Sequence, residues 1–205
     1  MPALPRLAVL ISGRGSNLQA LIDAIADRRL RAVIALVISN VEGVQGLARA
    51  DAAGLPTRVM QHGHWPSREA YDEALAVTIR ERQVDLICLA GFMRLLGRSF
   101  IDAFPNQILN IHPSLLPAFP GLEAQKQAFD HGVHVTGVTV HFVNAQLDAG
   151  PIVMQAAVPV LPDDTPDTLA ARILNEEHRI YPEAIQRVLD GGWRIEGRRF
   201  VQGHR

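Results

Sequence analysis

Leu7-Ala8-Val9-Leu10-Ile11-Ser12-Gly13-Arg14-Gly15-Ser16-Asn17-Leu18 is the stretch from which the fold class is read. Five apolar residues in a row read as a strand buried on both faces. The glycines make a tight turn. Leu18, Leu21, Ile22 and Ile25 then recur at helical spacing. A strand, a glycine turn and a helix in that order begin a βαβ unit, which builds a parallel sheet.

The pattern repeats downstream. Ala32–Ser39 is a second buried strand. Gly43–Ala53 reads as a helix ending at Gly54, and Pro56–Gln61 as a short third strand. Ser67 caps a helix whose apolar side carries Ala70, Leu75 and Ile79. Val84–Ala90 is a fourth strand. A brief helix at Ser99–Phe104 leads into a fifth strand, Gln107–His112. After His112 the texture changes. Pro113, Pro117, Pro120 and Gly121 punctuate a long loop, in which Leu116-Pro117 is a candidate cis bond. Val135–Val143 alternates like a strand with one polar face. Ile152–Val160 is another strand. Pro166–Leu189 is a helix entered through Asp163-Asp164-Thr165, and Trp193–Phe200 is one last short strand. The expectation is a single-domain α/β fold, a Rossmann-like open twisted sheet. Its N-terminal half is parallel and its C-terminal half has mixed or antiparallel strands.

Composition narrows the class. The 205 residues suit one domain, and 48% are hydrophobic. With 20 basic and 21 acidic residues the net charge is -1, which gives no electrostatic reason to expect nucleic acid. Arg194, Arg198, Arg199 and Arg205 read as a solvated tail. Cys88, the one cysteine, sits in an apolar strand and cannot form an internal disulfide. No apolar run reaches membrane-spanning length, and the first residues lack a signal-peptide pattern. The expected setting is the cytoplasm, without membrane partners.

Gly13-Arg14-Gly15-Ser16-Asn17 opens a helix, where backbone N–H groups face an anion. The plainer alternative is a tight turn with Ser16 or Asn17 as an ordinary N-cap. A dinucleotide fingerprint needs a third glycine where Leu18 stands, and an acidic residue where the second strand ends Ser39-Asn40. The loop therefore suits one monophosphate and argues against a nicotinamide oxidoreductase. Asn110 and His112 lie two apart at a strand end, on one face. Pro113 holds His112 extended. Spacing leaves two readings open: a pair of donors for a developing oxyanion, or a hydrogen-bonded strand-end pair. Asp148 lies in the loop Leu147–Pro151. It is either a turn residue or a carboxylate that favours the His112 imidazolium and takes a proton.

Three stretches carry a resemblance: Ile11–Leu18, Leu89-Ala90-Gly91-Phe92-Met93-Arg94, and Asn110-Ile111-His112-Pro113-Ser114-Leu115-Leu116-Pro117. Together they resemble the folate-dependent formyltransferase family, and within it the glycinamide ribonucleotide formyltransferases of purine biosynthesis. His141-Phe142-Val143, Leu147-Asp148, Gly150-Pro151 and Glu177–Pro182 continue the match in order, over about residues 7 to 190. The resemblance implies one formyltransferase domain over 1–205, with a phosphate-binding half at 1–110 and a folate-binding and catalytic half at 111–205. The formyl donor would be 10-formyltetrahydrofolate, with no metal. Its formyl carbon would be attacked directly by the amine of glycinamide ribonucleotide. Asn110 and protonated His112 would stabilise the tetrahedral oxyanion, and Asp148 would charge His112 and move the amine proton. Gly15, Ser16 and Asn17 would hold the phosphate and Glu177 the ribose hydroxyls. Arg68, Met93, Arg94, Leu95, Leu96 and Asn110 would form the folate site, with Val143–Asp148 closing its other side. Partners would be small molecules only, and the chain a monomer or a homodimer. Ala149 departs from the family, where many members have Gly after the aspartate. Glu123 and Gln125 receive no role.

Other residues are less informative. His131 and His134 have loose metal-ligand spacing, but no Cys and no His-Glu-x-x-His accompanies them. His141 shares the polar side of its strand with Thr139 and is placed to support the Asp148 loop. His62 and His64 are expected in an exposed loop. Ser114 lacks a Gly-x-Ser-x-Gly elbow. The competing functions are a 10-formyltetrahydrofolate hydrolase, which needs no phosphate loop, and a catalytically silent folate- or nucleotide-binding module. A methionyl-tRNA formyltransferase would need a further RNA-binding domain.

Overall fold

A computed structural model describes residues 3–203. The chain falls into two compact units, Met1–Leu109 and Asn110–Arg205. The first unit contains β1 (Arg6–Ile11), α1 (Ser16–Ala26), β2 (Val33–Ser39), α2 (Gln45–Ala52), β3 (Thr57–Val59), α3 (Arg68–Arg80), β4 (Leu86–Leu89) and α4 (Arg98–Ala103). Its strands are ordered β3-β2-β1-β4, and β1 pairs in parallel with both β2 and β4. Leu7 to Ile11 are fully buried, as are Leu18 and Leu21 of α1, Leu75 and Ile79 of α3, and Cys88. Each such Leu or Ile contributes about 2 kcal/mol through burial. Ser67 caps α3 by accepting from the Ala70 N–H.

The strand β5 (Ile108–His112) starts in the first unit and ends in the second. The second unit continues with α5 (Ala124–His131), β6 (Val135–Phe142), β7 (Ile152–Pro159), α6 (Pro166–Leu189), β8 (Trp193–Glu196) and β9 (Arg199–Gln202). Its strand order is β5-β6-β7-β9-β8, with β6 and β7 antiparallel. The parallel strands and the mixed C-terminal strands are those the hydrophobic pattern predicts. Helix α6 begins at a Thr165–Thr168 capping box. The preceding Asp164 is gripped by Arg172, whose hydrogen bonds hold its carboxyl far below the usual range.

Four sequence expectations need correction. Strand β6 has no solvent-facing polar side, because Thr136, Thr139 and His141 are all buried. Alternation misleads here because the polar atoms of Thr139 and His141 are paired internally. Thr139 Oγ1 donates to the Ser114 carbonyl and accepts from the Leu116 N–H. Helix α5 falls where the sequence reads as loop. Its N-cap, Glu123, sits at φ +54° and offers no capping side chain, so no start signal marks it. The last strand is a hairpin, β8 and β9 turning at Gly197 with φ +62°. Of the arginines expected in a solvated tail, Arg194 and Arg199 stand on ordered strands and Arg198 in the turn between them; all three are exposed, and Arg194 pairs with Glu196. Arg205 lies outside the described residues. The Leu116-Pro117 bond is cis. His62 and His64 form an exposed single-turn 3-10 helix.

Candidate active site

The end of β5 and the β6–β7 connection bring four side chains of the second unit together. His112 and His141 are buried, and Asp148 is 10% exposed. His141 Nδ1 lies 2.9 Å from the Phe142 carbonyl. A carbonyl can only accept, so Nδ1 carries the hydrogen. His141 Nε2 is then an acceptor for Asn110 Nδ2, at 3.3 Å. Burial pushes the His141 pKa down, against the Phe142 carbonyl and Asp148, which raise it; His112 lowers it further. His141 is therefore neutral, and it fixes one N–H of the Asn110 amide while leaving the amide a second N–H.

His112 is held the other way round. Its Nε2 lies 2.8 Å from the Phe119 carbonyl, so Nε2 carries a hydrogen. Its Nδ1 faces Asp148 Oδ2 at 3.5 Å. A second proton on His112 must sit on Nδ1, between imidazole and carboxylate. Asp148 Oδ2 also accepts from the Gly121 N–H at 2.8 Å, and Asp148 Oδ1 lies 3.7 Å from His141 Nε2. The Phe119 carbonyl is aimed by a loop with left-handed residues at Phe119, Gly121 and Glu123. Such a backbone costs about 1 kcal/mol or more at each non-glycine. Ser114 holds the loop by donating to the Ala118 carbonyl at 2.6 Å.

Asp148 itself has φ +47°. Ala149 is not among the residues of positive φ, so the left-handed turn falls on the aspartate and the alanine methyl meets no backbone penalty. Next along the chain, Gly150 has no room for a side chain, since a Cβ there would strike the Phe142 carbonyl. Glu177 lies buried on α6.

The first unit holds the remaining predicted residues. Gly15, at φ +69°, is the N-cap of α1 and supplies no side-chain cap, nor do Ser16 or Asn17 occupy that position. The turn with an ordinary capping side chain is thus not the arrangement adopted. Gly15 also packs on Gly46 of α2, whose N–H donates to the Gly13 carbonyl. The leading N–H groups of α1 have no carbonyls of the helix to bond, and they form the positive end of its dipole. Arg14 is exposed. After β4, Met93 and Leu95 are 70% and 61% exposed, unusual for large apolar side chains and apt for an apolar ligand. The Met93 N–H donates to Ser12 Oγ, which donates to Asn40 Oδ1. Arg68 Nη2 donates to the Leu95 carbonyl at 2.7 Å, and the Arg94 guanidinium stacks 4.4 Å from the Tyr71 ring centre. Among the described residues no group of three or more His, Cys, Asp or Glu could hold a metal ion, and no helix is long and apolar enough to cross a membrane.

Sequence reasoning gives His141 only a supporting part and misses the Phe119 carbonyl and Gly46. A histidine two residues from a threonine on an otherwise apolar strand was the available signal for the first. A backbone acceptor has no signature in side-chain identity.

Comparison with known proteins gives the family. Residues 5–185 match the formyl transferase family. The trifunctional purine biosynthetic protein adenosine-3 of Drosophila melanogaster is 52% identical over 91% of this chain, which spans only 14% of that protein's length. Phosphoribosylglycinamide formyltransferase of Escherichia coli is 42% identical over 97% of this chain and 94% of its own. The crystal structure of glycinamide ribonucleotide transformylase 1 from Symbiobacterium toebii superposes with a TM-score of 0.96 at 55% identity, covering 98% of this chain and 95% of that one. On the family match and the near full-length Escherichia coli relative, this chain belongs to the formyl transferase family.

Proposed function

We infer that the protein transfers the formyl group of 10-formyltetrahydrofolate to the amine of glycinamide ribonucleotide, in de novo purine biosynthesis. The observation that carries the chemistry is His112, pinned at Nε2 by Phe119 with Nδ1 turned to Asp148, beside an Asn110 amide fixed by His141. The near full-length relative named phosphoribosylglycinamide formyltransferase supports the acceptor.

The folate supplies an activated formyl carbon and a nitrogen leaving group. The substrate amine bonds to that carbon, and the carbon–nitrogen bond to the folate breaks. Asn110 and the His112 Nδ1–H donate to the oxygen that gains charge. The 3.5 Å from Nδ1 to Asp148 is longer than a charge-assisted hydrogen bond, so that N–H is available to the oxyanion. Asp148 balances the imidazolium and accepts the amine proton, directly or through a water, and the proton ends on the departing nitrogen. Losing one oxyanion donor costs about 3–4 kcal/mol of the barrier.

In the same reading Gly15, Ser16 and Asn17 bind the phosphate, and Glu177 binds the ribose hydroxyls. Arg68, Met93, Arg94, Leu95 and Leu96 bind the folate with Asn110, and Val143–Asp148 covers it. The chain acts as one formyltransferase domain, with a phosphate half at 1–110 and a folate and catalytic half at 111–205. It works without metal in the cytoplasm, as a monomer or a homodimer.

The test is turnover of 10-formyltetrahydrofolate with and without glycinamide ribonucleotide. Formylated product only in the presence of the amine is expected. Deformylation at a comparable rate without the amine would make the protein a hydrolase. Folate binding with no turnover in either case would make it a silent module.

A further inference from the structure

One face of the first turns of α3 grips the segment after β4 at three points. Arg68, Tyr71 and Asp72 stand three and four residues apart, so their side chains share that face. Arg68 donates to the Leu95 carbonyl, Tyr71 lies under the Arg94 guanidinium, and Asp72 Oδ2 accepts from the Gly97 N–H at 2.7 Å. Asp72 is the unusual member. Its side chain is only 1% exposed, its Oδ1 is buried without a hydrogen-bond partner, and Arg68 Nε lies 4.0 Å from Oδ2. A nearly dry carboxylate costs several kcal/mol unless charges and N–H groups compensate it. Arg94 Nε is likewise buried without a hydrogen-bond partner. Gly97 makes the contact possible: its φ of -72° suits any residue, but a Cβ there would strike Asp72 Oδ2.

We propose that Asp72 is a positioning residue that sets the affinity for the formyl donor, by fixing the course of Arg94–Gly97 through the Gly97 N–H and by aligning Arg68. The proposal rests on the reading that Met93–Leu96 and Arg68 bind the folate. Burial raises the Asp72 pKa, with Glu69 adding to it, against the Gly97 N–H, Arg94 and Arg68, which lower it. A need for packing alone would be met as well by an apolar side chain of similar volume.

The test compares wild-type protein with Asp72→Asn, Asp72→Ala and Gly97→Ala. Steady-state kinetics with both substrates is combined with calorimetric binding of tetrahydrofolate. Asp72→Ala is expected to raise the formyl donor KM and the tetrahydrofolate Kd about tenfold, the size of one lost charge-assisted hydrogen bond. Asp72→Asn, which keeps an acceptor for Gly97, is expected to raise them severalfold. The kcat and the glycinamide ribonucleotide KM should stay within about twofold. Gly97→Ala displaces the carboxylate without removing it and should raise the same two constants. Unchanged donor KM and Kd in the folded variants, or a fall confined to kcat, would overturn the positioning role. Wild-type protein that fails to bind tetrahydrofolate would remove the folate reading beneath it, whatever the variants do.

Discussion

Asp148 occupies a left-handed backbone, at φ +47°, where Asn and Asp are the non-glycine residues best tolerated. Asp148→Asn therefore keeps the turn, and its amide oxygen can still accept from Gly121. Only the charge is lost. Turnover should fall about a hundredfold or more while the urea midpoint barely moves. An Asp148→Asn enzyme of near wild-type kcat would remove Asp148 from proton transfer. His141 gives a stability signature. Its folded pKa is depressed below 6.5 by burial, so the unfolded chain takes up a proton that the folded protein refuses. Stability is full above that pH and declines as the pH falls below it. His141→Asn, whose amide stands in for Nδ1, should flatten the decline in urea midpoint between about pH 7.5 and about pH 5.5. An unaltered slope would mean that His141 charges freely in the folded state. Asn110, His112 and Asp148 were readable because side-chain types at a strand end and in a turn suggest chemistry. The tautomers were not readable, since both are set by the carbonyls of Phe119 and Phe142, which any residue would provide.

At the scale of elements, the turn from β1 into α1 has two glycines with different duties. Gly13 has open space around a would-be Cβ, whereas at Gly15 a Cβ would come within 2.5 Å of the Gly46 Cα, on a backbone of φ +69°. Gly15→Ala should cost about 2–4 kcal/mol of stability in urea unfolding, and Gly13→Ala almost nothing. Equal effects would show that helix packing does not select the second glycine. The apolar strands of the first unit and the long helix α6 were legible because each writes one period over many residues. Short α5 was not, having only eight residues and no capping side chain. Strand β6 was found but its faces were misjudged, because a buried threonine with internal partners looks in sequence like a wet one.

At the scale of the whole molecule, chain order explains where the proposed ligand-binding residues gather in the first unit. The strands run outward from β1 in both directions, toward β2 on one side and β4 on the other. In open α/β sheets, ligands bind at the carboxyl ends of strands where the connections part in this way. The glycine turn and the Met93 segment leave the carboxyl ends of β1 and β4 and are joined by the Ser12 N–H to the Gly91 carbonyl and the Met93 N–H to Ser12 Oγ. The far end of the chain tells a different story. Trp193 and Phe200 of the β8–β9 hairpin stack within 5.3 and 6.2 Å of the Phe142 ring, and Trp193 Nε1 donates to the Val188 carbonyl. Trp193→Ala should lower stability by about 2–3 kcal/mol in urea unfolding, and no loss would mean that the stack is idle. The hairpin lies beyond residues 5–185, the stretch that matches the family. Yet it leans on the same residue whose carbonyl decides which nitrogen of His141 holds hydrogen. The hairpin thus has mechanical access to the candidate centre from the other end of the chain, and exchanging it for a relative's ending should retune that centre while every proposed reacting residue stays in place.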